Sequence, residues 1–231
     1  MKASSIHRSH KSIQSYDEIQ PNEVYCLQNP GGVIFLCTRG SVSVSDSETS
    51  VPHTSVPHTS VPRDSASLGF SPLPQTSVPR DYRNLPQRYD FAPLAWCIPY
   101  EYEPVSKLLI VCDTSHKTFH DVKENSVFAI AFPSFEMRSL IQQAGSVSGF
   151  AVDKFDHFHV PHFCAKTIDV HIPEGVVGWM ECSLERIIIE GTSGILLGAI
   201  IKAFAIPEGW KNRIHYLNDA IWYKPGDLIS E

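Results

Sequence analysis

What the chain lacks narrows it first. Its six cysteines, Cys26, Cys37, Cys97, Cys112, Cys164 and Cys182, include no C-x-x-C pair and make no dense framework. Zinc ribbons and small disulfide-built scaffolds are therefore set aside. Most of these cysteines lie in apolar runs such as V-I-F-L-C-T and L-L-I-V-C-D, where Cys acts as a small buried hydrophobe. That usage reads as structural thiols in a reducing cytoplasm. A basic excess is also missing: 19 Lys and Arg face 25 Asp and Glu, for a formal charge of −6. A phosphate-backbone binder needs a basic face, so nucleic acid is excluded as a partner. No apolar run is long enough to cross a bilayer, and the stretch from Met1 to Tyr16 has no apolar signal core. No membrane partner is expected. Gly-rich nucleotide fingerprints of the P-loop and Rossmann kinds are absent, as is the G-x-S-x-G elbow of Ser/His/Asp hydrolases.

What is present is a chain of 231 residues, long enough to bury a proper core. Residues 1–20 form a polar lead-in. Residues 21–231 read as one domain, interrupted at 43–85 by an insertion. There T-S-V-P-H occurs twice in tandem from Thr49, and T-S-V-P-R-D follows at Thr59 and again at Thr76. Regular proline and abundant Ser/Thr cannot bury enough apolar surface to offset ordering entropy, so the insertion is expected to be disordered. An expanded, passive repeat is favoured over a docking segment.

Either side of the insertion, short apolar runs are bounded by turn residues, as buried strands are. They are Val33–Cys37, Lys107–Cys112, Val127–Phe132, Trp179–Ile189 and Ile195–Phe204. Glu190-Gly-Thr-Ser-Gly194 joins the last two as a hairpin turn. Lys117–Glu124, stopped by Asn125, and Ser134–Ala144, with Ser134 as N-cap, have helical patterning. Six or seven strands linked by short turns, with two short helices, make an antiparallel barrel rather than a βαβ sheet.

Candidate sites are individually plain. In the stretch Gly145–Phe155, G-S-V-S-G-F-A-V-D-K-F, two Gly/Ser pairs mark a loop that backbone can pack closely against. Lys154 beside Phe155 then offers a cation next to a flat apolar surface. Taken alone, it reads as an ordinary solvated loop. His157, His159 and His162 have no accompanying carboxylate or thiolate set, so no metal is assigned. Cys97, after Trp96, is the thiol to watch, although a packed strand cysteine is the favoured reading. Ser115-His-Lys-Thr118 lies at a strand exit and helix start, where a hydroxyl, a cation and free N–H groups make an anion site. Together with Lys154 and Trp96, it would hold a flat heterocycle with a phosphate between Thr118 and Lys154.

The order of these motifs resembles the flavin reductase-like, FMN-binding split-barrel family, most of all its flavoredoxin-type members. Val33–Thr38 is similar to the family's first strand, and Asp90-Phe-Ala-Pro-Leu-Ala-Trp96 to its N-x-A-P-x-S-W motif. Lys117-Thr118, Ser126–Ala131, Gly145–Phe155, Met180-Glu181-Cys182 and the Gly198 strand follow in matching order, from about Val24 to Tyr223 apart from the insertion. The resemblance implies a mainly β fold with a few short helices: an antiparallel Greek-key split β-barrel that binds FMN and forms a homodimer. It further implies that Trp96 and backbone from Ala92 to Ala95 meet the flavin ring. Ser115, Lys117, Thr118 and Lys154 would hold the cofactor, and Tyr223 or Trp222 would cover it.

Three departures bear on activity. The family's Asn falls on Asp90 and its Ser on Ala95, and Ser193 stands where flavoredoxin-like members often carry His. A carboxylate beside the flavin would disfavour its reduced, anionic form unless Asp90 turns away or is protonated. The insertion is expected next to the flavin. The implied function is an FMN-dependent oxidoreductase, fed by NADH or NADPH or exchanging electrons with a redox partner protein, with no essential protein acid or base. The alternatives are a non-catalytic FMN-binding or interaction barrel, and a barrel without flavin.

Overall fold

Strand β1 (Ile34–Arg39) explains much of the architecture, because it is buried on both faces. Phe35 and Cys37 enter one apolar cluster and Ile34 and Leu36 another, as the two-residue alternation of a strand requires. The computed structural model describes residues 32–40, 89–217 and 221–226. The polar lead-in (1–20) and the repeat region (43–85) lie outside the described residues.

The main sheet also contains β2 (Tyr89–Leu94), β3 (Cys97–Glu101), β4 (Lys107–Asp113), β5 (Val127–Pro133), β8 (Val176–Glu190) and β9 (Ser193–Ala205). Two small ribbons are separate: β6 (His162–Cys164) with β7 (His171–Pro173), and β10 (His215–Tyr216) with β11 (Trp222–Tyr223). The seven-stranded order is β2-β1-β5-β8-β9-β4-β3, antiparallel throughout. This is the antiparallel barrel that the runs of apolar residues imply, and the mainly β split barrel that the resemblance implies. Its interior holds Ile34, Leu36, Leu108, Ile110, Phe128, Ile130, Cys182 and Leu196, with Phe119 and Val122 of helix α1 (Lys117–Asn125) packed among them. The second cluster lies between the other face of β1, β2 and β5 and the helices α2 (Arg138–Ser146) and α3 (Lys154–His157).

The β8–β9 hairpin turns through two residues, Gly191 and Thr192, between the paired Glu190 and Ser193. Gly191 takes φ 58°, the left-handed value that a tight hairpin turn requires at its first central position. Ser134 does not cap a helix with its side chain. It precedes a single 3-10 turn (Phe135–Met137), and its carbonyl accepts from Met137 N at 3.1 Å before α2 begins. Asn125 closes α1 differently from a glycine stop. Its amide donates to the carbonyls of Asp121 (3.0 Å) and Arg39 (2.6 Å), tying the helix end to β1.

Arg39 and Tyr89 are register partners at one end of the β1–β2 pair, and both bond Asp169, Tyr89 through its hydroxyl at 2.8 Å. The chain between them therefore leaves and returns at adjacent, clamped positions. Replacing residues 40–88 by a short Gly-containing turn should keep the β1–β2 ladder. It should also stabilise the fold by about 2 kcal/mol, since each halving of a loop returns about 0.6 kcal/mol of closure entropy. A urea melt checks this, and loss of the folding transition would show the insertion to be structural.

Candidate functional site

A cavity of about 690 Å³ opens at the other end of β1 and β2. Pro93 and Leu94 from the end of β2, and Ala95 and Trp96 just beyond it, form one wall. Val111, Cys112 and Asp113 at the end of β4, with Ser193 opposite Asp113 in the register, form the second. Ile141, Gln142 and Gly145 of α2 make a third, and Val33, Tyr216, Leu217 and Trp222 close it. The C-terminal segment is held there by Val33 N donating to Ile214 O at 2.9 Å. Trp96 is 53% exposed although large and apolar, and Trp96 O accepts from Val111 N at 3.0 Å, which fixes the indole's base. A volume of this size with aromatic walls suits a planar ligand.

The structure brings together three of the sequence-derived site positions on this wall: Ala95, Trp96 and Ser193. Ala92 is nearby but buried, paired with Leu36. Trp222, not Tyr223, faces the cavity. Alternation along β11 turns Tyr223 away, to stack on His215 with ring centroids 4.8 Å apart.

Lys154 is the largest correction. It is only 3% exposed, and its ammonium donates to Phe91 O at 2.9 Å and pairs with Asp90 Oδ1 at 3.3 Å. It points into the protein beneath β2 and is not on the cavity wall. The Gly145–Phe155 stretch does pack closely, but against Asp90. A Cβ on Gly149 would lie 1.9 Å from Asp90 Oδ2. Asp153 caps α3 by accepting from Phe155 N at 3.0 Å and Asp156 N at 3.3 Å, which turns Lys154 inward. Asp90 accordingly turns away from the cavity. Burial pushes its carboxyl above the usual range, opposed by Lys154 and Lys117.

Lys117 is likewise buried, with its ammonium 2.6 Å from Asp121 Oδ2, which also accepts from Thr38 Oγ1 at 2.7 Å. Thr118 Oγ1 is buried with no partner among the described residues. Ser115 is exposed, and its amide N–H donates to Asp113 Oδ1 at 2.7 Å. The bonds from Ser115 hold the Asp113 carboxyl below its ordinary range. At the turn into α1, where an anion site was anticipated, the Ser115 amide is thus engaged by the chain's own carboxylate.

Asp113, Val111, Gln142 and Tyr216 are wall residues that the sequence reasoning missed. The run K-L-L-I-V-C-D carried the signal, because a charged residue closing a buried strand must emerge at the barrel's end. Cys97 is a packed strand residue whose thiol burial pushes up to about 12, so it stays protonated. Five cysteines, Cys37, Cys97, Cys112, Cys164 and Cys182, are free thiols. His162 stacks on His171 at 4.5 Å, and no group of metal-ligating side chains occurs among the described residues. No described helix is long and apolar enough to cross a membrane.

The barrel's end thus opens between a tryptophan in the β2–β3 connection and the aromatic cover of Tyr216 and Trp222. The flavin reductase like domain matches residues 76–221, and the chain belongs to that family. The uncharacterized protein YddH of Escherichia coli (strain K12) is 32% identical over 161 residues, 62% of this chain and 82% of YddH. Flavoredoxin from Methanosarcina acetivorans has a similar structure, with a TM-score of 0.63 at 16% identity, over 94% of this chain and 95% of that one. An FMN-binding protein from Thermus thermophilus, with bound 1-cyclohex-2-enone, has a TM-score of 0.61 at 16% identity, over 96% and 100% of the two chains.

Proposed function

We propose that this chain is an FMN-binding oxidoreductase of the flavin reductase or flavoredoxin type, moving electrons from NADH or NADPH, or from a redox partner protein, to an acceptor. The supporting observation is the convergence of Ala95, Trp96 and Ser193, from separate stretches, on one aromatic-walled cavity. The residues fit the ring of a flavin. Backbone from Pro93 to Ala95 lies along its wall, Trp96 offers a flat face, and Tyr216 and Trp222 exclude water. When bound, the flavin supplies the hydride and electron chemistry, and the protein supplies binding and orientation. Asp90, paired with Lys154 and buried, puts no carboxylate against the ring.

We further infer a homodimer in a cytoplasmic setting. The edge strand β3 exposes Ile98 and Tyr100, with Trp96 and Tyr102 beside it, an apolar margin suited to a second copy. The free thiols suit a reducing compartment.

Purified full-length protein should be yellow, sediment as a dimer and bleach anaerobically with NADH or NADPH. Trp96→Ala should weaken flavin binding about tenfold, from the loss of one aromatic face. A colourless protein that takes up no added flavin would sink this reading. Colour without bleaching by either donor would leave electron exchange with a partner protein as the activity.

A further inference from the structure

The cavity holds an unusual balance of charge for a phosphorylated ligand. Among its described wall residues there is no Lys, Arg or His, and Asp113 is the one charged side chain. The nearest motif lysines are committed elsewhere: Lys117 is held at 2.6 Å by Asp121 and Lys154 at 3.3 Å by Asp90, all four being buried. Asp113 itself is fixed, since Oδ1 accepts the Ser115 amide at 2.7 Å where the chain turns into α1. Thr114 N donates to Thr192 O at 2.9 Å, which pins the same turn to the β8–β9 hairpin. The Ser115 amide is therefore occupied by an internal carboxylate, and that carboxylate repels a second anion.

We propose that Asp113 is a specificity-determining residue that weakens the hold on a ligand's phosphate, so that the cavity selects its flavin by the ring and exchanges it readily. The inference rests on the flavin reading above and sharpens it: the ligand class is the isoalloxazine ring with or without phosphate, bound as an exchangeable substrate rather than a locked prosthetic group. The apolar walls recognise the ring, which riboflavin and FMN share. The phosphate, which distinguishes them, gains little. Ser193, facing Asp113 across the β4–β9 ladder, adds a neutral hydroxyl and no charge to offset the carboxylate.

The test is titration of the full-length protein, freed of bound flavin, with riboflavin and with FMN, followed by quenching of flavin fluorescence. The wild type should bind the two within about threefold of each other. FMN affinity should hold or rise as salt is raised, because screening removes a repulsion. Asp113→Asn should tighten FMN about tenfold relative to riboflavin. Asp113→Ser, which also removes the charge, should do the same. FMN bound a hundredfold more tightly than riboflavin by the wild type, with affinity falling as salt rises, would overturn the inference while leaving the flavin reading in place. Unchanged FMN affinity relative to riboflavin in both Asp113 variants would do the same. Failure of both flavins to bind the wild type would overturn the flavin reading and the inference with it.

Discussion

Replacing Lys154 with Met is expected to lower stability by about 3–5 kcal/mol, the cost of leaving a buried carboxylate without its partner. Met fills a volume similar to that of the lysine stem, so the loss is electrostatic and not a cavity effect. The substitution removes the bond to Phe91 O at 2.9 Å and the pairing with Asp90 at 3.3 Å. Gly149 presses on the same carboxylate, which leaves little room for water to replace the ammonium. A shift of the urea midpoint by more than about 1 M is the readout. The Asp90→Asn, Lys154→Met double variant should recover most of the loss, since neither partner then remains charged.

The pH dependence has a definite sign. Asp90 is already raised above its ordinary range by burial, and loss of Lys154 raises it further. The native state of the variant then binds a proton that the unfolded chain has released, so its stability falls as pH rises from the unfolded carboxyl value of about 3.9 through the folded one. The deficit of Lys154→Met should therefore be greatest above neutrality and shrink towards pH 5. A deficit that is constant with pH, or no shift of midpoint at all, would show that the ion pair is not what holds this loop. Folded variants should keep ligand affinity within about threefold, because Lys154 is not on the cavity wall.

The strands were legible because burial dictates them locally. Phe35 and Leu36 announce opposite faces by alternation alone, and V-F-A-I-A-F between Asn125-Ser126 and Pro133 can be little but a buried strand. The polar network was not legible. Asp90 and Lys154 are far apart in sequence, and only the packing of α3 on β2 makes them partners. Lysine beside an aromatic has the same local appearance whether it reaches a ligand or an internal carboxylate. Motif order placed Ala95, Trp96 and Ser193 on the wall because these sit at strand ends, where topology alone fixes position.

The insertion shows the same limit from the other side. The expected insertion (43–85) lies outside the described residues, and only the strands that flank it are placed. The chain leaves the sheet at Arg39 and returns at Tyr89, whereas the cavity lies at Val33 and Leu94. A strand advances about 3.3 Å per residue, so the six residues of β1 separate the two places by roughly 17 Å. Which end of a hairpin faces a site depends on the sheet order, and no local pattern carries that information.

Glu181 tests the fold at a second buried charge, one that no lysine compensates. It is fully buried on β8, where register shifts at Glu181/Cys182 and Leu184/Arg186 bend the strand. Its oxygens accept from Lys166 N at 2.7 Å, Thr167 N at 2.6 Å and Trp179 Nε1 at 3.0 Å, and from the Thr167 hydroxyl. Burial opposes ionisation, but these donors outweigh it and hold the carboxyl below its usual range. Glu181→Ala should cost about 3 kcal/mol, because buried donors lose their acceptor and the loop joining β6 to β7 loses its anchor. Glu181→Gln should cost nearly as much, since its amide N–H₂ would face donors instead of accepting from them. The sign with pH is opposite to that for Asp90. A depressed folded value gives stability that is fully present above the unfolded carboxyl range and lost as pH falls through the folded value. Both Glu181 variants should therefore approach the wild type in acid and diverge from it above about pH 5. Parallel stability curves for wild type and Glu181→Gln from pH 3 to 7 would assign the loop's anchoring to the packing of Trp179 against Phe163 and Phe204 and not to the carboxylate.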